Sequence, residues 1–116
     1  MTQLRTDVRE AEGAILVSLF GELDISEIEQ VEKVLAAAEA KQPHVVVIDL
    51  RGLEFMDSSG IRLVVEADLR ARQEGRRLVL IRGSETVHRV FTIALLDRRL
   101  DFVDEPPPEF PDARDG

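Results

Sequence analysis

The stretch at residues 43–65, PHVVVIDLRGLEFMDSSGIRLVV, constrains this chain more than any other. It opens with an unbroken apolar run at 45–48, followed by Asp49 and Leu50. A strand that is apolar on both faces needs cover on both sides of its sheet, the condition of a central parallel strand. A short connection is expected over 51–55. Met56-Asp57-Ser58-Ser59-Gly60 then leads into an amphipathic pattern from Ile61. Asp and Ser just ahead of such a pattern are N-cap residues, because their side-chain oxygens accept the unpaired N–H groups of the first turn. The stretch therefore reads as strand, loop and helix start, with two hydroxyls at the positive end of a helix dipole. A phosphate on Ser58 or Ser59 would be accommodated there and would be read at the surface by a partner.

The flanking chain supplies alternating elements. Residues 4–10 read as an edge strand and 14–20, AILVSLF, as a clearer one, joined near Glu12-Gly13 as a hairpin. Gly21-Glu22-Leu23-Asp24 leads into a helix. Its cap is either Ser26 with Glu29 or Asp24 with Glu27. Its buried face is Ile25, Ile28, Val31, Val34, Leu35 and Ala38, and Lys41-Gln42-Pro43 ends it. The helix after Ser58 is expected to bury Ile61, Val64, Val65 and Leu69, to expose Arg62, Glu66, Arg70 and Glu74, and to stop at Gly75. A strand at 78–81 follows, then a helix from Gly83-Ser84 with Val87, Val90, Phe91 and Leu95 inward, and a short strand at 100–103. The order β-β-α-β-α-β-α-β predicts an α/β fold, a mixed and mostly parallel sheet flanked by helices, with right-handed crossovers. From Pro106 the sequence PPPEFPDARDG reads as a flexible, proline-rich acidic tail that does not pack.

Composition narrows the function. A chain of 116 residues suits one domain. A net charge of −8 without a basic stripe argues against a nucleic-acid role. The acidity is concentrated at 101–116, where six acids face Arg114 alone. With no cysteine, disulfides and thiolate metal sites are excluded, which fits a reducing compartment. The N-terminus has no apolar signal-peptide core, and no run is long enough to insert into a bilayer, so a cytoplasmic location is expected. His44 and His88 stand alone, without metal-ligand spacing. Neither GxxxxGK[ST] nor GxGxxG occurs, so no loop is built to cradle a nucleotide, and no cofactor is expected.

The combination of GELD at 21–24, an apolar strand ending in Asp49-Leu50, and MDSSG at 56–60 before a helix resembles the STAS domain, and within it the bacterial anti-sigma factor antagonists. The resemblance spans about 5–103 and implies a STAS domain at 1–105, with the tail at 106–116. It implies a partner switch. The unphosphorylated protein binds an anti-sigma factor that is also a GHKL-type serine kinase, which frees the sigma factor. The kinase then phosphorylates the first serine of DSSG, here Ser58, and a PP2C-type phosphatase resets the system. Asp24, Asp57, Ser59, Gly60 and Arg62 are expected to lie in the partner-binding surface. Two positions depart from the family pattern: Arg62 stands where a small residue is usual, and Leu95-Leu96 where the third helix usually turns through Gly-Leu.

Other readings of the same residues are open at this stage. Ser58 alone could be a plain helix cap. Asp57 beside a serine could be a general base, but no histidine lies in the motif to orient it. A phosphoaspartyl receiver would need an acidic pair after the first strand and a late lysine, and the only lysines are Lys33 and Lys41. A STAS accessory subunit of a membrane lipid transporter, binding its ATPase subunit, is the alternative function. A hydrolase with Ser58 as nucleophile is a third. The preferred reading is a regulator rather than an enzyme.

Overall fold

The computed structural model describes residues 3–111. Five strands, β1 (Arg5–Ala11), β2 (Ala14–Leu23), β3 (Val45–Met56), β4 (Arg77–Ile81) and β5 (Phe102–Val103), form one sheet in the order β1-β2-β3-β4-β5. The β1–β2 hairpin is antiparallel, turning through Gly13 at φ 70°, and every other pair is parallel. Three helices, α1 (Ile28–Ala40), α2 (Ser58–Glu74) and α3 (Glu85–Ile93), make the crossovers. The predicted element order and mixed sheet are therefore observed.

Alternation along the strands assigns the two faces of the sheet. Ile15, Val17 and Leu19 of β2, Val46, Ile48 and Leu50 of β3, and Leu78 and Leu80 of β4 share a buried cluster with residues of all three helices. Ala14, Leu16, Val45, Val47, Val79 and Ile81 point the other way. Their cluster contains one residue from outside the sheet, Phe110, which is only 4% exposed. The expectation that the chain from Pro106 does not pack is thus corrected at Phe110, while Pro108, Glu109 and Pro111 are exposed. An aromatic ring sits on the sheet face that the helices leave uncovered. Residues 112–116 lie outside the described residues.

Other expectations shift in local ways. β3 does not end at Leu50 but runs to Met56, because β2 also continues and pairs Phe20 with Gly52, Gly21 with Leu53 and Leu23 with Met56 across two register irregularities. Gly52 permits this. A Cβ there would lie 2.3 Å from Phe20 Cδ1 and 2.7 Å from the Leu19 carbonyl oxygen. In α2 the buried stripe is Gly60, Leu63, Val64, Ala67 and Ala71. Ile61 and Val65 are half-buried, and Leu69, expected inside, is 53% exposed. Arg70 is not free in solvent but makes a bidentate pair with Glu39 at 2.9 and 3.0 Å, tying α2 to α1. Ile25 belongs to a one-turn 3-10 segment, Ile25–Glu27, and is 76% exposed rather than on the buried face of α1. Leu95, expected on the inner face of α3, lies beyond its end and is 78% exposed.

Candidate functional site

The site is built at the C-terminal ends of β2 and β3, where parallel strands hand the chain to helices. Strand β3 ends at Met56, and one residue later α2 begins. That residue, Asp57, is the N-cap. Its backbone is extended, its carboxylate accepts the Ser59 N–H at 2.9 Å, and its carbonyl accepts the Gly60 N–H at 3.0 Å. Ser58 is therefore not the cap but the first residue of the helix. It is exposed, and the capping work is already done by its neighbour. A side chain at this position is not held down by the first turn and can accept a bulky anion without loss of the helix.

Gly60 sets how closely this turn sits on the sheet. It is buried, and a Cβ would lie 2.4 Å from Met56 Cγ and 2.8 Å from its sulfur, with Leu23 Cδ2 at 3.2 Å. The glycine lets the first turn of α2 sit directly over the ends of β2 and β3. Its part is packing; it offers no surface of its own.

Asp24 arrives from the neighbouring strand. Leu23 pairs with Met56, and the Asp57 N–H donates to the Leu23 carbonyl at 3.2 Å, so the turn after GELD lies beside the start of α2. Of the two capping registers open in the sequence, the structure uses Asp24. Its carboxylate accepts from the Ser26 N–H at 3.0 Å and the Ser26 hydroxyl at 2.6 Å, closing the 3-10 turn. The following helix α1 starts without a side-chain cap.

Between the starts of α1 and α2 lies an open groove of roughly 410 Å³, lined by Ile25, Ile28, Glu29, Glu32, Ser59, Arg62, Leu63 and Glu66. Its lining combines apolar Ile25, Ile28 and Leu63 with carboxylates from both helices, and Arg62 is its cation. Glu29 pairs with Lys33 at 3.4 Å, and Glu66 with Arg62 at 3.5 Å, both as exposed partners one helical turn apart. Exposed Phe55 lies near the end of β3. Sequence reasoning missed Ile25 and Phe55 as surface features, and it did not bring Glu29 and Glu32 of α1 together with Glu66, which it placed outside. Ile25 lies three residues before Ile28, a helical spacing that placed it in the α1 stripe. Its position directly after GELD, where the chain turns, was the available signal.

Neither histidine joins this site. His44 precedes β3 at the opposite end of that strand. His88, on α3, is half-buried with its ring edge-on to Phe102 at 4.8 Å, and burial lowers its pKa. Among the described residues no cluster of three or more His, Asp or Glu could hold a metal, and no helix is long and apolar enough to cross a membrane.

A five-stranded mixed sheet with an exposed serine at the first turn of the central crossover helix defines a class: small α/β domains that present a helix start as a surface. The STAS domain model matches residues 5–106, and the chain belongs to that family. It is 36% identical over 78 residues to the anti-sigma F factor antagonist of Lysinibacillus sphaericus, covering 66% of this chain and 67% of that protein. It is 31% identical over 77 residues to an anti-sigma-B factor antagonist of Staphylococcus epidermidis, covering 66% and 71%. Among solved structures, the anti-sigma factor antagonist SpoIIAA in its unphosphorylated form superposes with a TM-score of 0.74 at 27% identity, over 87% of this chain and 90% of that one. The phosphorylated form of the Bacillus SpoIIAA superposes with a TM-score of 0.68 at 25% identity, over 87% and 93%.

Proposed function

We propose that this protein is an anti-sigma factor antagonist working as a phosphorylation-controlled partner switch in the cytoplasm. In the unphosphorylated state it binds an anti-sigma factor that is also a GHKL-type serine kinase, and the sigma factor is released. The kinase transfers the γ-phosphoryl group of ATP to Ser58 Oγ; ADP leaves and the hydroxyl proton passes to a base of the kinase. The complex then separates, and a PP2C-type phosphatase hydrolyses the ester to restore binding. The protein is the substrate of this chemistry and not its catalyst.

The observation that carries the reading is the division of labour at the start of α2. Asp57 caps the helix, so the Ser58 hydroxyl is exposed and structurally idle. The names of its relatives and structural neighbours point the same way. In this reading Asp57 and Ser59, which flank the acceptor in the chain, and Asp24, on the adjoining turn, form the docking surface together with Arg62 and the exposed side chain of Ile25. Phosphorylation adds about −1.5 to −2 charges at neutral pH. Against an interface fitted to a neutral hydroxyl, a misplaced charge costs several kcal/mol, and about 1.4 kcal/mol is a tenfold loss of affinity.

The test is a calorimetric titration with the anti-sigma kinase captured from native cells by the wild-type chain. Ser58→Ala is expected to bind with wild-type affinity and to resist phosphorylation, and Ser58→Asp to bind at least about tenfold more weakly. Equal affinities for the two variants would overturn the switch. Capture of transporter subunits by wild type and Ser58→Asp alike would replace it with the transporter reading.

A further inference from the structure

We propose that Arg62 is the intramolecular receptor for a phosphate on Ser58, so that phosphorylation exchanges the Arg62–Glu66 pair for a phosphoserine–guanidinium bridge along the first turn of α2. The inference rests on the reading of Ser58 as phosphoacceptor and adds what happens to the phosphate afterwards.

Geometry comes first. Ser58 and Arg62 are four residues apart in one continuous helix, hence neighbours on the same face. Helical side chains lean toward the N-terminus, so the long Arg62 side chain is rooted to reach back over the turn that Ser58 begins. Arg62 is also available. Its side chain is 82% exposed, and its Nε approaches a Glu66 oxygen no closer than 3.5 Å, a loose and solvent-screened pair. A phosphate offers more: a dianion with several acceptor oxygens suits the planar guanidinium fork bidentately.

Charge points to the same exchange. A phosphate on Ser58 would adjoin Asp57 in sequence and Asp24 across the strand ends, an acidic setting that calls for a cation. Of the residues lining the groove beside Ser59, Arg62 is the one that carries positive charge. Once it turns to the phosphate, Glu66 loses its partner and the groove, with Glu29 and Glu32 already on its walls, becomes more acidic. The modification would then be felt in two places: at Ser58 itself, and along the groove as a lost cation. A lysine could supply charge but not the fork.

The test uses the full chain with phosphoserine inserted at position 58 during translation, so that no kinase is needed. Phosphorus NMR titration reads the second pKa of the phosphate. In the wild type it is expected about half a unit to one unit below its value in Arg62→Ala, because a nearby opposite charge favours the dianion. Arg62→Lys should keep part of that shift, and Glu66→Gln, which frees the guanidinium, should enlarge it. Circular dichroism confirms that each exposed-site variant is folded. Identical pKa values in the wild type and Arg62→Ala would overturn the bridge, as would a shift unaffected by Glu66→Gln. Because the phosphate is installed directly, this result stands or falls separately from kinase binding by Ser58→Ala and Ser58→Asp.

Discussion

One face of the sheet lies under three helices, and the other, among the described residues, under a single aromatic side chain from the C-terminal segment. On the helix face, strand residues interdigitate with Val31, Leu35, Leu63, Val64, Val87 and Phe91, and α2 is further tied to α1 by Arg70 and Glu39. On the opposite face, Leu16, Val47, Val79 and Ile81 are as thoroughly buried, but the Phe110 that seats on them comes from a proline-rich stretch with no regular structure. The face also carries an ion pair. Asp49, at the end of the apolar run, accepts from Arg51 Nε at 3.0 Å and Nη2 at 2.8 Å and is itself buried. Ser58 is mounted on the helix layer, and the strap crosses the other side. Stability and switching are therefore expected to separate by face.

The largest effects test that separation. Phe91 is fully buried beneath α3 in the helix layer, and Phe91→Ala is expected to lower unfolding free energy by about 3–5 kcal/mol in urea melts. Phe110→Ala should cost less, about 1–3 kcal/mol, because an irregular strap can resettle into the space more readily than a helix held at both ends. It should also leave unchanged the affinity for the kinase proposed as partner. A Phe110 loss equal to that of Phe91 would mean that both faces are equally built. A loss of kinase affinity would mean that the strap reaches the switch.

The same contrast governs what could be read from the sequence. The helix face was legible because its strands and helices announce themselves by period, and the site because Asp-Ser-Ser-Gly follows a strand and precedes a helix. The exceptions are physical. In α2 the buried stripe is carried largely by small residues, Gly60, Ala67 and Ala71, while the larger Leu69 faces out, so hydrophobicity alone rotated the expected face. The extension of β3 through Arg51–Met56 depends on pairing with β2 across a bulged register, which no local pattern encodes. Asp57 rather than Ser58 as cap is a matter of one residue, and only backbone angles decide it. Phe110 was hidden by its neighbours, since proline and acid argue for solvent. Yet the doubly apolar strand at 45–48 already demanded a second cover, and Phe110 is the one large apolar residue after β5.

An intermediate effect is expected from the ion pair. The hydrogen bond to Asp49 holds the Arg51 guanidinium above its ordinary pKa, with desolvation opposing and the Asp49 charge adding to it. Arg51→Met would leave the buried Asp49 carboxylate without its guanidinium, at a cost of about 1–3 kcal/mol. The double variant Asp49→Val with Arg51→Met should recover most of that loss, because apolar residues in place of a buried pair are often neutral or better. If the double variant is no better than the single one, the pair holds more of this face together than its own two residues, and the C-terminal strap is the part to examine next.

The smallest effect belongs to the edge of the helix layer, and its sign is positive. Helix α3 ends in a Schellman turn: the Leu96 N–H donates to the Phe91 carbonyl at 2.9 Å and the Leu95 N–H to that of Thr92 at 3.0 Å. This places Leu95 at φ 61°, a left-handed conformation that costs a leucine about 1–2 kcal/mol. At the end of α2 the chain meets the same demand with Gly75, at φ 75°. Leu95 is 78% exposed, so its side chain returns little burial for the strain. Leu95→Gly removes the strain but loosens the unfolded chain by about 0.5–1 kcal/mol, leaving a net gain of about 0.5–1 kcal/mol. That gain is expected as a higher urea midpoint with an unchanged slope. A lower midpoint would show that the Leu95 side chain makes a stabilising contact which its exposure conceals, and the helix layer would then extend one residue beyond its last turn.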